Sequence, residues 1–362
     1  MKNIIEIIPS LNSASGGAEI LFANLCKTIS KQNDIKLTIV LLYDGINERF
    51  NSLINGKIDI VTLHKKRGID FKCANRLKKT LLDINPDIVH CHLNVVLTYY
   101  LAFRFKKMKW KTFCTIHSLP QKDETLLGNL IRKKYARYKI MNFIGISKSI
   151  TQEGQKYYKT NMFTTIENGF EQTSLMYNVN PIKKYDLVCV AVFKPAKNHR
   201  LLFDAIKDVN RVSKQRLTLA CAGEGPLFNT MKEYSVKLGL DNIVFLGQVN
   251  DVYPILNQSK VFVLSSSYEG NPISVLEAMA CGLPIIAPNV GGIPDIVQNN
   301  VSGILFEPNN KEQLVSSILK ISSDPNLLFK MSVESKKASA NHSMEKCVEK
   351  HLQLFSAQNT SI

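Results

Sequence analysis

Paired cysteines, an apolar run of membrane-spanning length, internal repeats and low-complexity tracts are all missing from this sequence of 362 residues. Its eight cysteines (Cys26, Cys73, Cys91, Cys114, Cys189, Cys221, Cys281 and Cys347) stand singly. With no C-x-x-C pair, neither a zinc site nor a disulfide framework is expected, and a reducing compartment is the simpler reading. The N-terminal MKNIIEIIPS is interrupted by Glu6 and Pro9, so it reads as a first strand rather than a signal peptide. The longest apolar stretch, Leu93 to Phe103, contains Asn94 and two tyrosines and falls short of a bilayer span. A soluble protein is expected. No Asp-x-Asp pair occurs either.

Acid is the scarce charge. There are 46 Lys/Arg against 30 Asp/Glu, a net +16, and the excess is concentrated in residues 1–180, with 27 basic against 14 acidic groups. Two segments carry much of it, FRFKKMKWK (Phe103 to Lys111) and IRKKYARYKI (Ile131 to Ile140), each interleaving aromatic with basic residues. Such segments suit either a solvated basic face or an anionic membrane surface, where aromatics seat at headgroup level. Nucleic acid is not expected, because none of its familiar binding modules is visible.

What is present is a regular alternation. Short β-rich runs (IIEIIP, LTIVLLY, IDIVTL, DIVHCH, WKTFCTIH, NFIGIS) alternate with helical patterns through the first half. The polar stretch Val179 to Asp186 reads as a linker, after which DLVCVAVF, LTLACAGEGP, NIVFLG, KVFVLSS and LPIIA repeat the alternation. Strands separated by helices imply parallel sheets covered on both faces. The length suits two such domains, expected at 1–178 and 186–342, with a terminal helix at 343–362 returning to the first. In doubly wound sheets ligands bind beyond the carboxyl ends of the strands, which places the site in a cleft between the domains.

The loops at those strand ends carry the chemistry. The richest is YEGNPISVLEAMACGLPIIAPNVGG, Tyr268 to Gly292. Asn271 is a suitable N-cap and Pro272 a suitable first helical residue, so a helix should run to about Cys281. Glu269 then sits at the helix mouth and Glu277 about one and a half turns in, beside free backbone N–H groups. Glu277 lies in an apolar run and needs a partner. In SASGGAE (Ser13 to Glu19) two glycines precede a helix and let backbone approach an anion. His90 and His92 close one strand and His117 another, with His117 the better site candidate. In FKPAKNHR, Lys194, Lys197 and Arg200 flank a helix start and form a natural clamp for a diphosphate. Glycine loops, a lysine clamp and two acids on one edge of two sheets describe a nucleotide diphosphate site.

The order of these motifs resembles the retaining glycosyltransferases of family 4. GGAE, DIVHCH, the TIH strand end, IGISKS, ENG, PAKNH, AGEGP and FLG all follow the family's sequence of motifs, and Glu269 to Gly292 is the most specific segment. The resemblance implies a GT-B fold: two Rossmann-like domains facing each other, the first binding acceptor and the second the donor. It implies transfer of a hexose or N-acetylhexosamine from a nucleotide diphosphate sugar, most simply a UDP-sugar, with retention. The acceptor would be a saccharide, lipid-linked, in polysaccharide assembly (O-antigen, capsule or exopolysaccharide).

By position, Glu277 would hold the ribose hydroxyls and Glu269 would approach the transferred sugar. The backbone of Gly270, Asn271, Pro272 and Ile273 would line its hydroxyls or the distal phosphate. Lys197 would bind the diphosphate, with Lys194 beside it, and Gly16 and Gly17 would let backbone approach that diphosphate. His117 would lie near the reacting carbon, and the base would pack near Val249 to Val252. The expected catalytic group is therefore His117, Glu269 and Lys197, with no metal and no cofactor. The sequence departs from the family in three places: Ala191 and Val192 stand where an Arg is common, Ser118 follows His117 in place of Asp, and Phe170-Glu171 follow the Asn-Gly turn. A GT-B-fold UDP-sugar 2-epimerase and a catalytically silent sugar-nucleotide-binding subunit are the other readings. The basic first half suggests a cytoplasmic protein, peripheral on the inner face of the membrane.

Overall fold

The computed structural model describes all residues except 13–15, 52–57, 173–181, 214–215 and 358–362. The chain divides into two units, Met1–Gly169 with Met344–Ile362, and Phe170–Ser343. The first holds β1 (Lys2–Ile8), β2 (Ile35–Leu41), β3 (Asp59–Thr62), β4 (Ile88–His92), β5 (Lys111–Ile116), β6 (Asn142–Gly145) and β7 (Phe163–Thr165). These form one parallel sheet in the order β3-β2-β1-β4-β5-β6-β7. The second holds β8 (Tyr185–Val190), β9 (Leu219–Ala222), β10 (Ile243–Gly247), β11 (Ser259–Val263), β12 (Ile285–Pro288) and β13 (Gly303–Phe306). Its order is β10-β9-β8-β11-β12-β13, again all parallel.

Both sheets reverse direction beside their first strand, between β1 and β4 and between β8 and β11. A doubly wound sheet opens a crevice at that switch point, because the connections on its two sides leave toward opposite faces. The core strands are covered on both faces and read as unbroken apolar runs: Ile4, Ile5, Ile7 and Ile8 of β1 and Val261, Phe262 and Val263 of β11 are all buried.

The expected boundary lies several residues too late. Phe170 is already part of the second unit's core, and its backbone N–H donates to the His342 carbonyl at 3.1 Å. Of the expected linker, Tyr185 and Asp186 belong to β8, while residues 179–181 lie outside the described residues. The C-terminal helix, Met344–Ser356, belongs to the first unit, where Phe355 meets Phe113 at 4.8 Å between ring centroids.

In the two aromatic–basic segments most of the aromatics turn inward, while Arg104, Lys106, Lys107, Lys109, Lys134, Arg137 and Lys139 are exposed. Phe103, Trp110 and Tyr135 are buried, and the Trp110 indole N–H donates to the Tyr99 hydroxyl at 3.0 Å. Arg132 is fully buried as well. Phe103, Trp110 and Tyr135 face the core because they fall on the inward stripe of their elements, whereas Tyr138 is exposed, a division that local composition does not reveal. No described helix is long and apolar enough to cross a membrane.

Candidate functional site

At the switch point of the second sheet, the loops after β8 and β11 bring Lys197 and Glu269 together. The Lys197 ammonium donates to both Glu269 oxygens, at 2.6 and 2.8 Å, and the Ser266 hydroxyl donates to Oε1 at 2.6 Å. Glu269 is 6% exposed, so its charge is tolerable only with such partners. The loops are fixed to one another through the backbone. Ser265 Oγ donates to the Lys197 and Asn198 carbonyls, and Ser267 N–H donates to the Ala196 carbonyl at 2.9 Å.

Lys197 ends a single 3-10 turn, Pro195–Lys197, which Asn198 leaves in left-handed backbone at φ +46° before the next helix begins at His199. Lys194 opens that turn and is exposed. Arg200 is engaged elsewhere, its guanidinium lying 4.7 Å from the Tyr234 ring centroid.

The helix after the glutamate spans Ile273–Ala280, with Pro272 rather than Asn271 at the N-cap, one residue later than the sequence suggested. No side chain caps it. Val275 and Leu276 N–H donate to the Pro272 carbonyl at 3.1 and 3.4 Å, so the helix mouth offers a ligand the N–H groups of Ile273 and Ser274, the arrangement that suits anions. Asn271 and Pro272 are buried, and Gly270 and Ile273 are half-buried at this mouth. Glu277 is half-buried one turn further on. It is close enough to Tyr253 for its charge to raise that phenol, after burial itself. Tyr253 begins the short helix that Val252 N-caps.

Of the glycine pair that ends the motif, Gly291 is sterically required. Gly291 has φ +55°, and a Cβ there would stand 1.7 Å from the Glu269 carbonyl oxygen. The Gly292 N–H donates to that same carbonyl at 3.1 Å. The β12 loop thereby clamps the backbone that aims Glu269. Similarly, a Cβ at Gly223 would meet the Ala191 carbonyl at 2.2 Å, seating the AGEGP loop on the β8 loop.

The first unit carries a separate constellation at its own switch point. Glu6 of β1 is fully buried and accepts from His92 Nε2 at 2.8 Å and from His90 Nδ1 at 3.1 Å. His90 Nε2 meets Thr115 Oγ1 at 2.7 Å, and His92 Nδ1 meets His117 Nε2 at 3.2 Å. Burial raises the Glu6 pKa, but the two histidines outweigh it and bring it down to about 2. Burial pushes His92 down to about 4, with His90 adding to the effect. Burial and then His92 push His117 down to about 3.

Only His117 of the three is half-buried rather than interior, so His90 and His92 form the interior support of the histidine set. Among the described residues, Glu6, His90 and His92 are the one group whose ligand atoms, all within 4.8 Å, could hold a metal ion. Each of those atoms already has a hydrogen-bond partner within the network.

The backbone of His117 is held from the other side. Asp123 Oδ1 accepts from the N–H groups of His117 and Ser118 at 2.8 and 3.1 Å, while its Oδ2 pairs with Arg132 at 2.9 Å. Arg132 also donates to the Leu93 carbonyl at 3.0 Å. Asp123 thus supplies a carboxylate where Ser118 lacks one. In the GGAE loop, Gly16 N-caps the helix Gly17–Ile29, and a Cβ at Gly17 would meet nothing within 4 Å. The protein itself therefore does not demand glycine at 17, which leaves room for a ligand there. Ser13 to Ser15 of that loop lie outside the described residues.

Four residues that matter here were not singled out from sequence. Glu6 had a usable signal, an acid inside the run IIEII, which must find a partner. Asp123 and Ser266 had none. Arg132 was hidden in a basic run.

Two family profiles match the chain in succession. The one described as Glycosyltransferase Family 4 matches residues 15–173, and the one described as Glycosyl transferases group 1 matches residues 177–338. An uncharacterized glycosyltransferase of Methanocaldococcus jannaschii is 29% identical over 344 residues, covering 92% of both chains. The UDP-Gal:alpha-D-GlcNAc-diphosphoundecaprenol alpha-1,3-galactosyltransferase of Escherichia coli is 36% identical over 104 residues, 28% of this chain and 27% of that one. Among solved structures, HepE of Anabaena in complex with UDP aligns with a TM-score of 0.77 at 18% identity, covering 99% of this chain and 100% of that one. That likeness establishes the two-domain GT-B fold.

Proposed function

Since the chain belongs to glycosyltransferase family 4, and is a glycosyltransferase, we propose that it transfers a hexose or N-acetylhexosamine from a UDP-sugar, with retention, to a lipid-linked saccharide in surface polysaccharide assembly. The observation that carries the donor half is the Lys197–Glu269 pair at the switch point, beside an uncapped helix mouth. Lys197 neutralises the charge that grows on the leaving diphosphate, and the first-turn amides of Ile273–Ala280 add fixed dipoles. Glu269 reads hydroxyls of the transferred sugar. Glu277 holds the ribose, and the base lies by Val249 and Val252. A cationic clamp of this kind needs no metal. UDP as the donor base is consistent with the UDP-bound structural neighbour.

The transition state is oxocarbenium-like, and a front-face attack uses the leaving phosphate to accept the acceptor proton. The buried Glu269 supports the transferred sugar without acting as nucleophile.

The lipid-linked acceptor draws support from the undecaprenyl substrate named for the Escherichia coli relative. It also draws on one surface feature. The helix Leu126–Arg137 exposes Leu126 (84%), Leu130 (58%) and Leu127 (47%) on its outer face. The same face continues into exposed Lys134, Arg137 and Lys139. Leucines at one end and cations at the other match the acyl boundary and anionic headgroups of a bilayer. This stripe, rather than the buried aromatics, is the membrane contact of the reading.

The test uses a UDP-sugar panel and a diphosphoundecaprenol-linked sugar in vesicles containing anionic lipid, with product anomer read by NMR. Transfer with retention is expected. Changing Leu126 and Leu130 together to Gln should weaken vesicle binding by about tenfold or more, from the apolar area no longer buried, while turnover with a soluble short-chain acceptor persists. Equal vesicle binding by the variant removes the membrane assignment, and absence of transfer from any nucleotide sugar removes the reaction.

A further inference from the structure

The buried Glu6–His92–His117 chain has a direction, and the direction fixes what His117 can do. Glu6 is fully buried against two imidazoles, and a carboxylate is an acceptor only. His92 Nε2, 2.8 Å from Glu6 Oε2, therefore carries the proton. In a neutral imidazole the other nitrogen is then the acceptor, so His92 Nδ1 is a lone pair. The group 3.2 Å away from it, His117 Nε2, must donate. Burial keeps both rings neutral at pH 7. It follows that the proton of His117 is on Nε2 and that its Nδ1 is bare. Among the described residues Nδ1 has no hydrogen-bond partner, while the main chain of the same residue is tied to Asp123 and through it to Arg132.

We propose that Glu6 and His92 are positioning residues that hold His117 as the neutral Nε2–H tautomer, so that its Nδ1 accepts a hydrogen bond from a saccharide hydroxyl. The assignment rests on the glycosyl-transfer reading for the identity of the ligand but not for the tautomer. It has a chemical consequence. A ring nitrogen with a lone pair recognises an O–H donor and repels phosphate or carboxylate oxygens, so His117 reads sugar and does not serve the diphosphate. The work of binding the anion is left to cations such as Lys197.

Two substitutions separate positioning from simple support of the core. In His92→Asn the side-chain oxygen can take the place of Nδ1 and still accept from His117. In His92→Gln the amide reaches toward Glu6 instead and the link to His117 is lost. Full-length protein labelled with 15N-histidine, without substrate, gives the tautomer from long-range 1H–15N spectra. His117 should be Nε2–H in the wild type and in His92→Asn, and should lose that preference in His92→Gln. Kinetics with a UDP-sugar and acceptor should show kcat/KM down about tenfold for His92→Gln, near wild type for His92→Asn, and UDP affinity unchanged in both.

A wild-type His117 that is Nδ1–H or imidazolium overturns the proposal whatever the activity. Nδ1–H is also the state that a cation bound by Glu6, His90 and His92 would impose. An unchanged tautomer in His92→Gln overturns it too. If the tautomers are as stated but no nucleotide sugar is turned over, the reaction assignment fails and the tautomer stands.

Discussion

Lys197→Ala should lower kcat by about two to three orders of magnitude, the usual effect of removing one preorganised group that faces developing charge. The expectation follows from the placement of Lys197 on a 3-10 turn whose carbonyls are held by Ser265, so its ammonium starts from a fixed base. The same substitution leaves the buried Glu269 with Ser266 as its remaining bonded partner, and breaking a buried ion pair in this way costs stability. Two effects are therefore superposed. A melting curve of the variant measures the loss of the ion pair, and turnover at saturating donor measures the loss of charge stabilisation. Glu269→Gln provides the contrast: the neutral amide still bonds Lys197 poorly and Ser266 well, so the fold should survive while sugar recognition falls. Wild-type turnover in Lys197→Ala would remove the lysine from the reaction.

Acid should destabilise the first unit early. His92, His117 and His351 are held in the fold at about 4, 3 and 4, each lowered mainly by burial. Depressed histidine pKa values mean that the native state stays neutral while the unfolded chain, near 6.5, takes up protons. Stability is thus intact above about pH 6.5 and falls as pH drops toward 4, where the native rings begin to protonate as well. Each interior histidine contributes on the order of 2 kcal/mol of this loss by about pH 4.5. Glu6 extends the decline. Its folded value of about 2 lies below the ordinary 4.5, so the stability it gives above pH 4.5 is lost as pH falls further. Melting temperature measured from pH 7.5 to 4 should therefore descend steadily, and His351→Phe, which keeps the ring packing on Phe355 and His90 without a titrating nitrogen, should flatten part of the slope. A flat profile down to pH 5 would contradict the buried network.

Much of this was legible from sequence because doubly wound sheets declare themselves locally. Apolar runs bounded by glycine turns gave the strands, and the two acids with the glycine pair located the mouth of the Ile273–Ala280 helix to within one residue. Lys197 was readable for the same reason, since the residues that set its loop, Pro195 and Asn198, are neighbours in sequence. What was not legible depends on register between distant strands. Nothing near Glu6 tells that it faces His90, yet β1 pairs with β4 so that these two residues are direct neighbours. Asp123 and Arg132 pair through the packing of a helical turn against a helix, and in sequence Arg132 looks like one more surface cation. Which aromatics of the basic segments turn inward was hidden in the same way, because alternation of residue types does not reveal which face is inward. The leucines that are exposed lie just ahead of the second segment, in a stretch without notable charge.

The central claim is that the second unit binds a nucleoside diphosphate sugar through Lys197 and the adjoining helix mouth. Calorimetric titration of the full-length protein with UDP, GDP and ADP, alongside Lys197→Ala, tests it most directly. One diphosphate, UDP on this account, should bind saturably and raise the melting temperature, by linkage about 2.7 kcal/mol of stabilisation at a hundredfold excess over Kd, and Lys197→Ala should weaken it at least tenfold. Failure of all three nucleotides to bind, or undiminished binding by the variant, would contradict the claim.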